Sequence, residues 1–198
     1  MKNIITGVAA TVVIALAACN NNATDSNTEK KNDTVTQMQT PDTTSANTAI
    51  VNASVSIQDI ITGYLQMKNA FTADNTNDAA AAGKSLQAAF INFDTKALSV
   101  QQAKTFNDIA DDAKEHAEHI GANGGNIAHQ REHFDMLSKD MADLVKTFGN
   151  GGQTLYKDFC PMYNNGKGAY WISEVKEIKN PYLGKTMPSC GEVKEEMK

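Results

Sequence analysis

The 198-residue chain has no large cluster of lysine and arginine, which argues against nucleic acid as a partner, because phosphate binding needs a positive patch. It also lacks the short signatures of several enzyme classes. There is no Gly-x-Ser-x-Gly, no His-Glu-x-x-His, no phosphate-cradling glycine loop and no Cys-x-x-Cys-His haem attachment, so the expectation is a protein that is not an enzyme. Beyond the first residues, no run is apolar for long enough to read as a membrane span. Tryptophan occurs once and cysteine three times. With so few cysteines, each one carries weight in the argument.

The first cysteine belongs to the start of the chain. Lys2 followed by the mostly apolar stretch from Ile4 to Ala18 reads as a secretory leader. The stretch ends in Leu16-Ala17-Ala18-Cys19, which resembles a lipobox and implies cleavage after residue 18 and lipidation of Cys19. The expected product is a lipoprotein of the bacterial cell envelope, held to a lipid membrane by Cys19 with its folded part in the periplasm or at the cell surface. Loss of Lys2 with the leader takes the formal net charge from −5 to −6. Cys160 and Cys190 are then left in an oxidising compartment, where thiols pair unless a metal or a reductase holds them.

Residues 19–53 are rich in Asn, Thr, Asp, Ser and Gln with scattered apolar residues, and read as a flexible tether. The remainder, 54–198, has the size of one domain. Its first four segments carry a helical period. Ile57, Ile60, Ile61, Tyr64, Met67 and Phe71 form the first stripe. A second helix starts near Asp78 and aligns Leu86, Ala89, Phe90 and Phe93, with Gly83 weakening it slightly. A third runs from Ser99 to Ile120 with Gly121 as its C′ residue, and a fourth from Asn126 to Phe148 closed by Gly149. Short links between amphipathic helices predict an antiparallel four-helix bundle. After Gly149 the period disappears and aromatics crowd in. Leu155 to Cys160 and Ala169 to Ser173 read as short strands joined through Asn164-Asn165-Gly166-Lys167-Gly168, in a small aromatic-rich segment packed on one end of the bundle.

Two constellations bear chemistry. Cys160-Pro161-Met162 and Met187-Pro188-Ser189-Cys190-Gly191 supply two thiols and two thioethers, soft donors that favour Cu(I) or Ag(I) over hard ions. The alternative is a Cys160–Cys190 disulfide that pins the segment, with Met162 and Met187 as apolar filler and an aromatic surface docking on another envelope protein. The other constellation is histidine. All four, His116, His119, His129 and His133, lie near one turn, paired at i, i+3 and at i, i+4, and imidazole binds copper, zinc or nickel. The carboxylates of Asp111, Asp112, Glu115 and Glu118 beside them read as a solvated acidic face.

The C-terminal motifs, Leu155-Tyr156, Cys160-Pro161-Met162, Ala169-Tyr170-Trp171, the run from Ile178 to Gly184, Met187 and Cys190-Gly191, are joined by Gln130 to Phe134 and Leu137-Ser138. Together they resemble a domain-of-unknown-function family that occurs in periplasmic lipoproteins and appended to CusB-type copper and silver efflux adaptors. The resemblance covers roughly residues 54–193. It implies soft-metal handling, with a metal efflux adaptor as partner, and points to Cys160, Met162, Met187, Cys190 and His133 as ligands. His116, His119 and His129 are not part of that pattern. The resemblance turns the reading from a disulfide toward capture of Cu(I) or Ag(I), with the Trp171 ring expected to shield the ion.

Overall fold

Periodic apolar side chains fold only if each stripe finds another to cover it, and here each helix finds its neighbour in sequence. The computed structural model describes residues 56–198; the leader at 1–18, Cys19 and the tether to residue 53 lie outside the described residues. Among the described residues four long helices follow one another: α1 (Gln58–Thr72), α2 (Thr76–Asn92), α3 (Val100–Ala122) and α4 (Ile127–Phe148). The contacts run α1 to α2, α2 to α3 and α3 to α4. No described helix is long and apolar enough to cross a membrane. The six residues of the first stripe are all buried, as are Phe106, Ala110 and Ala113 on α3 and Phe134, Leu137 and Met141 on α4. Phe134 is central, with its ring 5.2 Å from Tyr64, 5.0 Å from Phe71 and 5.6 Å from Tyr182.

The helix ends follow their caps. Ser99 and Gln102 form a capping box at α3, each side chain taking the other's backbone N–H. Asn126 caps α4, and Gly149, at φ 91°, ends it. Two boundaries differ from the sequence reading. α2 begins two residues before Asp78 because Asn75 is its cap; Asp78 sits in the first turn, its N–H donating to Asn75 Oδ1. α3 does not stop at Gly121 but runs through it to Ala122. The reason is packing. A Cβ at Gly83 of α2 would lie 2.7 Å from the Ala117 oxygen and 2.9 Å from the Gly121 nitrogen, so the two helices touch backbone to backbone there. Gly83 is a contact point that its low helix propensity conceals.

After α4 the chain forms an antiparallel sheet in the order β2-β1-β3, from β1 (Leu155–Cys160), β2 (Ala169–Ser173) and β3 (Glu192–Met197). The turn between β1 and β2 uses positive φ at Asn164 (53°) and Asn165 (56°), as the Asn-Gly-rich link predicts. β3 was not expected. The sheet packs through β2 on α4. Tyr64 ties the layers together: its hydroxyl sits 2.8 Å from Ser138 Oγ on α4 and accepts the Ile172 N–H of β2 at 3.1 Å. Lys68, wholly buried on α1, reaches Glu174 just past β2 at 2.8 Å.

Candidate metal centres

β1 carries Cys160 to its end and buries it opposite Ala169 of β2. Cys190 arrives from the loop before β3, and the two Sγ atoms stand 3.3 Å apart, both free thiols. Burial raises the Cys190 thiol above its ordinary value and the neighbouring Cys160 thiol adds to this, while the Met162 N–H opposes it. That last contact brings the Cys-x-Met turn onto the second sulfur. The Met-x-x-Cys turn closes on itself, with the Cys190 N–H donating to the Met187 carbonyl at 3.2 Å. Both thioether side chains are open to solvent, Met162 56 % and Met187 38 % exposed. Trp171 is fully buried, and a Cβ at Gly191 would come within 2.9 Å of its ring, so the indole lies beneath the Cys190-Gly191 peptide.

The loop that presents Cys190 is organised by Asn180, a residue with no assigned role in the sequence reading. Its Nδ2 donates to the Cys190 carbonyl at 2.6 Å, its N–H donates to Pro188 O at 2.8 Å, and its Oδ1 accepts the Tyr182 and Leu183 N–H groups, each at 2.8 Å. One buried residue thus holds four points of the loop, three through its side-chain amide and one through its backbone N–H. The Tyr182 hydroxyl donates to the Tyr170 carbonyl, which attaches the same loop to β2.

The resemblance groups His133 with these sulfurs, but the side chains that surround it are the other three histidines. It lies on the α4 face that meets α3, whereas Arg131, Phe134 and Ser138 face the C-terminal segment. His116 Nδ1 and His133 Nδ1 are 3.3 Å apart. The His119 ring stacks on His133 with centroids 4.3 Å apart, and His129 meets His133 edge-on at 4.6 Å. One ligand nitrogen each from His119, His129 and His133 lie within 4.8 Å of one another, a group that contains neither cysteine. Burial and then the neighbouring His119, His129 and His116 lower His133 to about 4. Burial also lowers His116, against the pull of Glu115 and Asp112.

Carboxylates surround these rings. Glu132 is 3.5 Å from His129, Glu115 is 4.0 Å from His119, and Asp140, which the sequence reading passed over, is 3.9 Å from His116. Burial, with Asp112 and Asp143 adding, pushes the Asp140 carboxyl up to about 7. The remaining acids behave as a solvated face: Asp111 pairs with Lys114 at 2.8 Å and Glu118 accepts from Gln87 at 3.0 Å.

Residues 60–153 match the model of a family described as a protein of unknown function (DUF3347). The match takes in most of α1, all of α2, α3 and α4 and therefore all four histidines, and ends before Cys160. No curated protein and no solved structure matches the chain.

Proposed function

We propose that this chain is a membrane-anchored lipoprotein of the bacterial envelope that captures a soft metal ion, Cu(I) or Ag(I), through Cys160 and Cys190 with Met162 and Met187 as additional donors. The ion is held for sequestration or for transfer to a metal efflux adaptor. The supporting observation is the 3.3 Å approach of two free thiols, one at the end of β1 and one in the loop before β3, each with a methionine two or three residues away. Thiolate and thioether together make a donor set that prefers monovalent copper or silver. The partly exposed methionines suit exchange, since an ion that must be passed on needs ligands that a partner can displace. The anchor rests on the lipobox-like Leu16-Ala17-Ala18-Cys19.

The same separation also favours a second reading. The two sulfurs need to move little more than 1 Å to reach the usual disulfide length of about 2 Å. The outer face of the sheet carries Tyr170 against Phe159, with Lys157 over the Tyr170 ring, and a disulfide-pinned domain of this kind would offer that face to another envelope protein.

A thiol count on protein taken from its native compartment, followed by anaerobic Cu(I) titration of the reduced chain, separates the two. Soft-metal capture requires two free thiols and one equivalent bound, weakened by Met162→Ala with Met187→Ala and lost in Cys190→Ser. No free thiols, and no binding after reduction, would leave the docking module as the better account.

A further inference from the structure

The geometry assigns a second metal site to the bundle itself: His119, His129 and His133 bind a divalent ion of borderline softness, with Zn(II) as the reference, and His116 supports His133 from the other side. The site is separate from the sulfur pair and does not depend on the soft-metal reading.

The argument begins with the hairpin that brings the rings together. α3 ends and α4 begins across residues 123–126, and both flanks are fixed through the histidines' own backbone. Asn123 Nδ2 donates to the His119 carbonyl at 2.8 Å, and the His129 N–H donates to Asn126 Oδ1 at 3.3 Å. Between them Gln130, fully buried, donates to Ile120 O and Thr76 O, each at 3.0 Å, tying the α3 end to the start of α2. Asparagines perform the capping at both ends of this turn. The imidazoles are therefore not needed there for helix termination.

Tetrahedral zinc with imidazole ligands requires nitrogens about 3.3 Å apart. The three nitrogens here lie within 4.8 Å, a gap that rotation of side chains can close. His119 and His129, 45 % and 35 % exposed, have the freedom to do so, while His133 is held by His116. The outer groups also suit a metal. Glu115 lies 4.0 Å from His119 and Glu132 3.5 Å from His129, close enough for a small ring rotation to make the carboxylate contact that orients a ligating imidazole, and Asp140 lies 3.9 Å from the supporting His116. An all-imidazole set fits Zn(II), Cu(II) or Ni(II) and not Mg²⁺ or Ca²⁺, which demand oxygen.

His129-Gln130-Arg131-Glu132-His133 also has the His-x-x-Glu-His spacing that presents two imidazoles to one zinc ion from a helix. Glu132 lies 3.5 Å from His129, as an outer partner of that ring, and the role proposed for the motif is ion binding alone.

The test is Zn(II) calorimetry on the full chain, with Co(II) as a spectroscopic substitute. One equivalent should bind, Co(II) should show tetrahedral bands without a thiolate charge-transfer band, and Zn(II) should raise the melting temperature. His119→Gln and His129→Gln, at partly exposed helical positions, should each weaken binding on the order of a hundredfold, and His116→Ala about tenfold. Cys190→Ser should leave Zn(II) affinity unchanged even where it abolishes Cu(I) uptake. Equal affinity in the wild type and the His119→Gln/His129→Gln double variant overturns the site, as does a thiolate band that Cys190→Ser removes. Because the melting temperature is read with and without Zn(II), a variant that merely folds less well still reports whether the ion stabilises it.

Discussion

Asp74 and Arg131 meet at 2.6 Å across the end of the bundle where α1 finishes and α4 begins. The same guanidinium donates to Phe71 O at 2.9 Å and to Pro181 O at 2.7 Å, while the other oxygen of Asp74 accepts the Lys185 N–H at 3.1 Å. The only arginine of the chain therefore fastens the loop that carries Cys190 to two helices.

Arg131→Ala should cost about 2–4 kcal/mol, because it leaves two backbone carbonyls and a carboxylate without their partner. Arg131→Lys should recover little, since a single ammonium cannot reproduce the fork. Urea unfolding gives the size of the effect, and amide exchange over 180–190 shows whether the loop detaches first. Burial works to raise Asp74, but Arg131 and the Lys185 N–H outweigh it and hold it below the ordinary carboxylate value. Its contribution is thus present above about pH 4 and lost as pH falls through the folded value. In Asp74→Asn the acid limb of the stability profile should be shallower.

Asp158 should act with the opposite sign. It is fully buried in β1 with no hydrogen-bond partner on either oxygen, and burial pushes it up to about 7 against the pull of Lys68. The folded state holds this proton more tightly than the unfolded chain, so the contribution is complete below about pH 4 and disappears as pH rises toward 7. Asp158→Asn should be the more stable protein at pH 8, by on the order of 2–4 kcal/mol, and should lose that advantage near pH 4. A difference between parent and variant that stays constant from pH 4 to 8 would refute this account.

Gly83→Ala would ordinarily strengthen a helix by about 1 kcal/mol. Here the added methyl strikes backbone atoms of Ala117 and Gly121, and prying α2 from α3 should destabilise the fold by about 1–3 kcal/mol. Ala117 and Gly121 flank His119, so the same change should weaken Zn(II) binding at the histidines. Thermal melts with and without Zn(II) read both effects at once.

Oxidation of the thiol pair should be easy and stabilising. Cys160 and Cys190 are 30 residues apart, and closing a loop of that size constrains the unfolded chain by about 3–4 kcal/mol. Mild oxidant should take the thiol count from two to none and raise the urea midpoint, and neither change should occur in Cys190→Ser.

Much of this architecture can be read from residue order. The stripe from Ile57 to Phe71 and the bounds of β1 and β2 follow from periodicity and from turn residues, because burial there depends on side chains facing one way. β3 escaped notice because Glu192–Met197 offers only Val193 and Met197 as apolar residues; it is an edge strand held by backbone pairing to β1. Gly121 misled as a helix stop, since its value lies in a contact with α2 that no local pattern reveals. Residue order places both histidine pairs at one end of an antiparallel hairpin, but does not show which rings touch. Their meeting depends on Asn123, Asn126 and Gln130, whose side chains act on backbone groups and leave no period in the sequence. The resemblance groups His133 with the sulfurs, whereas the helix face it occupies sets it against the other three histidines.

The two candidate centres also differ in when the chain can assemble them. The histidines sit on a hairpin whose internal bonds span short stretches, such as Gln130 to Ile120, ten residues apart. The sulfur pair needs the sheet docked, and docking includes the bond from Ile172 to Tyr64, 108 residues away. Local contacts close first and distant ones late. On that order a nascent chain is expected to bring its imidazoles together while its thiols are still apart, the two sulfurs meeting only once the sheet has docked on α1.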